Sequence, residues 1–283
     1  MSDRPRVLVT GSSGRVGSAI AARLSTHYSV AGLDLLPGPH TSHLGSVEDA
    51  GLVRRAVEGA VAIVHTASLH APDVGRQSDA RFTSVNVDGT RTLLEAASRQ
   101  HVRRFVYTSS TSIYGHALEP VDQAIWVTEE LEPAPRDIYD ETKLQAESLC
   151  REAATGSMSC VSLRISRCFP EPAHLMATYR LYRGVDLRDV GQAHELALDY
   201  AGPQFQTFNI SAQSPFRRED CPDLLARAPI VLARRVPDVG RIYDKRSWPM
   251  PQSIDRVYVI DKATQALGYR PRWNFSEWLA ELH

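Results

Sequence analysis

The chain of 283 residues has few cysteines and no long apolar run. Its first apolar run, Val7–Val9, is too short for a secretory signal peptide, and no segment reaches the roughly 20 apolar residues of a membrane-spanning helix. The four cysteines, none in a C-x-x-C pair, are Cys150, Cys160, Cys168 and Cys221. Scattered thiols of this kind predict a reduced, cytoplasmic protein in which cysteines pack rather than bind metal.

The chain also lacks an excess of either charge, because its formal net charge at pH 7 is -1. The absence of a basic block argues against nucleic acid or an anionic membrane as the main partner. Hydrophobic residues make up 43% and charged residues 23% of the sequence, as in an ordinary globular protein. A chain of this length can form one large domain or two small ones.

Apolar strand-like runs alternate with helix-like segments through the first two thirds of the chain. Strands are predicted at 6–10, 28–34, 60–67, 103–110 and 160–166, and helices at 15–25, 46–59, 80–100 and 137–154. Near-continuous apolar strands that alternate with helices indicate a parallel sheet covered on both faces. The predicted fold class is therefore α/β, a doubly wound Rossmann sheet.

The alternation breaks after Arg167. A helix at 189–201 and a strand at 206–211 are still predicted, but prolines then interrupt the chain from Pro215 to Pro251. We predict a nucleotide-binding core over 1–166, completed by about 184–211, and a small irregular substrate-binding lobe over 167–183 and 212–283.

A glycine-rich turn lies between the first strand and the first helix, in "VTGSSGRVG". Gly11, Gly14 and Gly17 would allow a tight turn, close approach of the backbone to a pyrophosphate, and tight packing of helix on sheet. Asp34 follows 20 residues after Gly14, at the end of the second strand, where a carboxylate accepts hydrogen bonds from ribose hydroxyls and repels a 2′-phosphate. This pattern predicts NAD as the cofactor. Arg15 either lies beside the pyrophosphate or receives the extra phosphate of NADP.

Tyr139 and Lys143 are four residues apart in "DIYDETKLQAE", which places them one helical turn apart on the same face. A phenol has a pKa of about 10 and needs a nearby positive charge to act as a base at neutral pH. Taken by itself, a Tyr-x-x-x-Lys spacing is common, and its simplest interpretation is a solvated face of a helix. Hydroxyls in "VYTSSTSIYG", at the end of a predicted strand, could hold a substrate oxygen and make the combination more specific.

These segments together resemble the extended short-chain dehydrogenase/reductase family, also described as NAD-dependent epimerases and dehydratases. Nearly the whole chain is covered by the resemblance, through "TGSSGRVG", "NVDGTRTLLEAA", "SSTSIYG", "YDETK", "GVDLRDVGQAH" and "DKATQALGYRPRW". The resemblance implies that Tyr139 is the catalytic acid/base, that Lys143 lowers its pKa and binds the nicotinamide ribose, and that Ser110 holds the reacting oxygen. Asn86 falls at an asparagine that supports this site.

The same resemblance implies a set of residues in contact with NAD. Ser46 and Val47 replace the Asp–Leu pair that usually contacts adenine. The implied cofactor-binding residues are Gly11, Ser13, Gly14, Arg15, Val16, Asp34, Ser46, Val47, Thr66, Ala67, Ser68, Lys143 and Ile165.

The stretch "RISRCFPEPAHLMATY" is similar to uronate dehydrogenases, which oxidise hexuronic acids to lactones. By this similarity, the substrate-contacting positions fall on His70, Ser112, Arg167 and His174. Arg167 either supplies a cation for a carboxylate or pairs with Glu171 as a structural residue. His70 and His174 are either substrate ligands or ordinary loop residues.

We therefore predict an NAD-dependent oxidoreductase of carbohydrate metabolism. It would transfer a hydride from a secondary alcohol or lactol of a small sugar, sugar acid or polyol, with no metal ion. Two alternatives remain: an NAD-dependent epimerase or dehydratase of a nucleotide sugar, or a cofactor-sensing relative without catalysis. The resemblance also implies a homodimer through helices near 86–100 and 137–154.

Overall fold

The structure is a computed structural model that describes residues 4–282. Its main sheet is formed by β1 (Arg6–Thr10), β2 (Ser29–Asp34), β3 (Thr41–Leu44), β4 (Ala60–His65), β5 (Arg104–Ser110), β7 (Ser159–Ile165) and β8 (Phe205–Ile210). Two short strands, β6 (Ile125–Val127) and β9 (Arg256–Tyr258), pair separately. The main sheet is parallel throughout, in the order β3-β2-β1-β4-β5-β7-β8. The predicted doubly wound α/β fold is confirmed.

The described residues form eleven α-helices and one π-helical segment. The α-helices are α1 (Arg15–Leu24), α2 (Ala50–Val57), α3 (Asp79–Phe82), α4 (Gly89–Arg99), α5 (Ile138–Ala153), α6 (Ala173–Arg180), α7 (Leu187–Leu198), α8 (Cys221–Arg235), α9 (Val239–Lys245), α10 (Asp261–Leu267) and α11 (Phe275–Glu281). The π-helical segment, Thr83–Asp88, joins α3 to α4.

Apolar side chains cover both faces of the sheet, as the continuous apolar strands predict. On β1, Val7 and Val9 belong to the cluster beneath α1, α7 and α10, while Leu8 belongs to the cluster beneath α2, α4 and α5. Alternation along a strand explains this division, because successive side chains point to opposite faces. Complete burial of a valine or leucine side chain contributes about 1.5–3 kcal/mol to the free energy of unfolding. Because both faces of the central strands are buried in this way, these strands and their carboxyl ends, which form the site, are held in place.

A third apolar cluster lies in the C-terminal part of the chain and includes residues of α6, α8, α9 and α11. The stretch from 215 to 251, predicted to be irregular, therefore contains two helices. Pro222 lies in the first turn of α8, where no backbone donor is needed, and Pro229 accompanies a kink at Arg227. Ile260 and Ala263 instead pack with the sheet. The predicted domain limits stay a prediction.

No helix within residues 4–282 combines the length and apolar character needed to cross a lipid bilayer.

Candidate active site

One cavity of about 730 Å³ lies at the carboxyl ends of the central strands. The order of the strands reverses between β1 and β4, and ligands of doubly wound sheets bind at such a point. His174, on α6, lies outside its lining. The predicted residues that line the cavity are Gly11, Ser13, Gly14, Arg15, Val16, Asp34, Ser46, Val47, Thr66, Ala67, Ser68, His70, Ser110, Ser112, Tyr139, Lys143, Ile165 and Arg167.

Two glycines, Gly11 in the turn between β1 and α1 and Gly17 in the first turn of α1, leave no room for a side chain. Gly11 has φ +68°, and a Cβ on it would lie 2.6 Å from Thr66 Oγ1. A Cβ on Gly17 would lie 1.9 Å from the carbonyl oxygen of Gly11. Gly14 begins α1 without a side-chain cap, and the first turn carries no acid. The free N–H groups of this turn and the helix dipole therefore suit a bound pyrophosphate.

Asp34 is held at the edge of the cavity by two backbone donors. Ser13 N–H donates to Oδ2 and Leu36 N–H donates to Oδ1, each at 2.9 Å. Each carboxylate oxygen can accept a further hydrogen bond, as two ribose hydroxyls require. The turn, the helix end and Asp34 thus fit the adenosine and pyrophosphate of NAD. Arg15 donates to the carbonyl of Cys168 at 3.0 Å.

Tyr139 and Lys143 lie on successive turns of α5, and both are buried beside the end of β5. Lys143 Nζ donates to the carbonyl of Thr108 at 2.9 Å. Ser110, the last residue of β5, accepts hydrogen bonds from Ser112 N–H at 3.1 Å and Ser112 Oγ at 2.9 Å. The three predicted catalytic side chains therefore share one cavity with the glycine turn.

Burial shifts the pKa of both members of the tyrosine–lysine pair. It raises the pKa of the Tyr139 phenol well above its ordinary value of 10.0, against the opposing effect of a hydrogen bond with Ser110. It also lowers the pKa of Lys143 to about 7, against the opposing effect of Glu147. The expected lowering of the phenol pKa is thus not found in the protein alone. A buried ammonium is itself unfavourable, so Lys143 is only partly charged at neutral pH.

Asn86 ties two parts of the site together from the π-helical segment. Its Oδ1 accepts from Leu69 N–H at 2.8 Å, and its Nδ2 donates to Thr142 Oγ1 at 3.1 Å. Leu69 follows β4, and Thr142 precedes Lys143 on α5. The asparagine therefore fixes the loop beside the cavity against the helix that carries Tyr139, and π-helical segments often occur at such sites.

The residues predicted to contact the substrate have different neighbours in the structure. Arg167 Nε donates to Glu171 at 2.8 Å, which favours its structural role. The ring of His70 lies 6.5 Å from that of Tyr139. Ser112 contacts Ser110, as described above.

Four arginines that line the cavity were missed by the sequence reasoning: Arg81, Arg136, Arg183 and Arg256. Arg81 and Arg136 are paired with acids, so Arg183 and Arg256 matter more for a ligand. Arg183 reaches the cavity because an isolated bridge pairs Arg167 with Gly184, and Arg256 because β9 pairs with β6. Neither pairing has a local signal in the sequence.

Comparison with known proteins gives one family and several relatives. A model of the NAD dependent epimerase/dehydratase family matches residues 7–178. A 3-beta-hydroxysteroid dehydrogenase of Mycolicibacterium neoaurum is 33% identical over 174 residues, which cover 56% of this chain and 46% of that protein. A GDP-6-deoxy-D-mannose reductase of Pseudomonas aeruginosa is 37% identical over 147 residues, or 51% of this chain and 46% of that protein. The chain thus spans about half the length of these curated relatives.

Among solved structures, a short-chain dehydrogenase/reductase superfamily protein from Agrobacterium tumefaciens, crystallised with NAD, is similar over almost its whole length. Its TM-score is 0.72 and its sequence identity 27%, and the match covers 98% of this chain and 95% of that chain.

Proposed function

Because the chain belongs to the NAD dependent epimerase/dehydratase family, we propose that it is an NAD-dependent oxidoreductase. It removes a hydride from a secondary alcohol or lactol of a small sugar, sugar acid or polyol. The observation that carries the proposal is a single cavity lined by Ser110, Tyr139 and Lys143 together with the glycine turn and Asp34.

The family places the chain among NAD-dependent oxidoreductases, epimerases and dehydratases. The family match and the NAD-bound structural relative confirm the predicted membership of the extended short-chain dehydrogenase/reductase family. They also confirm NAD as the cofactor. The narrower similarity to uronate dehydrogenases stays a prediction, as does the homodimer.

Bound NAD would supply the acceptor of the hydride. The Ser110 hydroxyl donates a hydrogen bond to the reacting oxygen of the substrate. Tyr139 acts as the phenolate, which a charged Lys143 and the positive nicotinamide ring of bound NAD would favour, and removes the proton of the substrate hydroxyl. Lys143, fixed by the Thr108 carbonyl, places a partly charged ammonium one turn from the phenol. Proton transfer of this kind contributes about 10²–10⁴-fold to the rate, and positioning of the reactants contributes further.

The size of the cavity supports a small substrate. Its volume of about 730 Å³ lies within the range of roughly 300–1,000 Å³ that a single organic ligand occupies. Both the dinucleotide and the substrate have to fit there, so little room remains for a second nucleotide. A compact sugar derivative is therefore favoured over a nucleotide sugar.

A spectrophotometric assay for reduced nicotinamide tests the proposal. Purified protein receives NAD or NADP with hexuronates, aldoses, polyols, hydroxy acids and a 3β-hydroxysteroid. We expect reduction of NAD with one class of sugar derivative. Bound NAD without net reduction across the panel would contradict the dehydrogenase and favour the epimerase or cofactor-sensing alternative. Reduction with the steroid alone would contradict the proposed substrate.

A further inference from the structure

The arginines that line the cavity differ in whether a carboxylate neutralises them. Arg81 pairs with Glu48, Arg136 with Asp140, Arg167 with Glu171, and Arg256 with Asp255. Arg15, at the glycine turn, has no acid partner but donates to the carbonyl of Cys168. Within residues 4–282, Arg183 has no carboxylate in ion-pair contact and no side-chain hydrogen bond, and its Nε is a buried donor without a partner. Arg183 is therefore a charged donor whose hydrogen-bonding capacity is unused.

Aromatic rings and backbone contacts hold Arg183 in place. Its guanidinium lies 4.2 Å from the ring centroid of Tyr179 and 5.5 Å from that of Tyr182. Its carbonyl accepts from Arg167 N–H at 3.1 Å, and its own N–H donates to Tyr179 at 2.7 Å. Stacking on a ring occupies the face of a guanidinium and leaves the N–H groups at its edge to bind a ligand.

Arg256 adds a second donor at the same end of the cavity. Its NH2 group pairs with Asp255, but its Nε is also buried without a partner. Among the described residues that line the cavity, the one carboxylate is Asp34, which lies at the opposite, adenosine end. The substrate end thus has unused cationic donors and no lining acid, which suits an anionic ligand.

We propose that Arg183, assisted by Arg256, binds an anionic group of the substrate and selects acidic substrates over their neutral counterparts. The group is a carboxylate or a phosphate, since a guanidinium forms paired hydrogen bonds with either. This inference rests on the proposed function, whose active site it shares. It transfers to Arg183 the role that the sequence offered to Arg167 as one of two alternatives.

Calorimetric titration of the NADH-bound protein tests the inference without requiring turnover. The probes are D-glucose, D-glucuronate and D-glucose 6-phosphate, which differ in the group at the sixth carbon. We expect one anionic probe to bind more tightly than glucose. Arg183→Gln should weaken that probe roughly 10- to 100-fold, the range of a charged hydrogen bond, and leave glucose within twofold. Tighter binding of glucuronate or of the phosphate identifies the anionic group.

Three further variants complete the design. Arg183→Lys, which keeps the charge without the planar fork, should recover part of the lost affinity. Arg256→Gln should have a smaller effect in the same direction. Arg241→Gln, on an exposed arginine of α9, should change nothing. The inference is overturned if glucose binds as tightly as both anions, or if Arg183→Gln weakens all three probes equally. Anion binding through Arg183 without hydride transfer would instead refute only the proposed function.

Discussion

The two ends of the cavity are built in different ways. The cofactor end uses backbone groups and glycines from the β1–α1 turn, with Asp34 from the neighbouring strand. The substrate end gathers side chains from distant segments, including Ser110, Tyr139 and Arg183. A backbone-built site is fixed by the fold, whereas a site built from side chains on separate segments can change its ligand by substitution. The cofactor end should therefore respond to changes in backbone fit, and the substrate end to changes in single functional groups.

The largest effect should come from removing the phenol at the substrate end. Tyr139→Phe is expected to reduce turnover about 10²–10⁴-fold because the proton acceptor is lost. NAD affinity should stay within a few-fold, since the cofactor end is unchanged. Steady-state rates and a fluorescence titration with NADH measure the two quantities. Tyr28→Phe is the control, because Tyr28 lies just before β2, at the amino-terminal ends of the strands and away from the cavity. Normal turnover in the Tyr139 variant would remove the tyrosine from the proposed chemistry.

At the cofactor end, a substitution should instead lower NAD affinity and stability. Gly17→Ala places a Cβ 1.9 Å from the Gly11 carbonyl oxygen, so the turn must shift, at a cost of about 1–3 kcal/mol in the free energy of unfolding. NAD affinity should fall with it. Gly240→Ala is the matched control, because nothing lies within 4 Å of its Cβ. Unaltered stability and NAD affinity in the Gly17 variant would show that the turn is not constrained as described.

The same contrast explains how much could be predicted from the sequence. The glycine turn, Asp34 and the Tyr139–Lys143 spacing are local patterns, and each lies where it was expected. Arg183 was missed because its position depends on a bridge between Arg167 and Gly184, which no periodicity reports.

Elements outside the alternating core were also missed for physical reasons. The edge strand β3 is only four residues long, and three of them are polar ("TSHL"), so it has no apolar run. Helix α8 was not predicted because it contains two prolines, Pro222 in its first turn and Pro229 near its kink, and prolines usually indicate irregular chain. The spacing predicts that Tyr139 and Lys143 are close together, but it does not report burial, which raises the pKa of Tyr139 in the protein without NAD.

Asp34 offers a further test of the difference between the two ends of the cavity, because it is one side-chain group at the cofactor end, which otherwise consists of backbone groups and glycines. Asp34→Asn removes the charge that repels a 2′-phosphate and weakens acceptance of hydrogen bonds from ribose. We expect the ratio of NAD to NADP affinity to fall about tenfold, which corresponds to ~1.4 kcal/mol. Parallel titrations with NADH and NADPH measure it, with Asp49→Asn, the cap of α2, as the control. An unchanged ratio would mean that cofactor choice is made elsewhere.

The smallest effect concerns Lys143, whose side chain lies between the two ends. Burial lowers its pKa in the folded protein to about 7 from the ordinary 10.5, so the unfolded chain binds more protons between these pH values. The free energy of unfolding should therefore rise with pH in this window, by about 1 kcal/mol from pH 7 to pH 8. Urea unfolding at both pH values, compared between wild type and Lys143→Met, isolates this increment. Lys245→Met, on an exposed lysine, should keep it. An equal rise in the Lys143 variant would show that the lysine is charged in the folded protein, and that the phenol already has a full positive charge beside it before NAD binds.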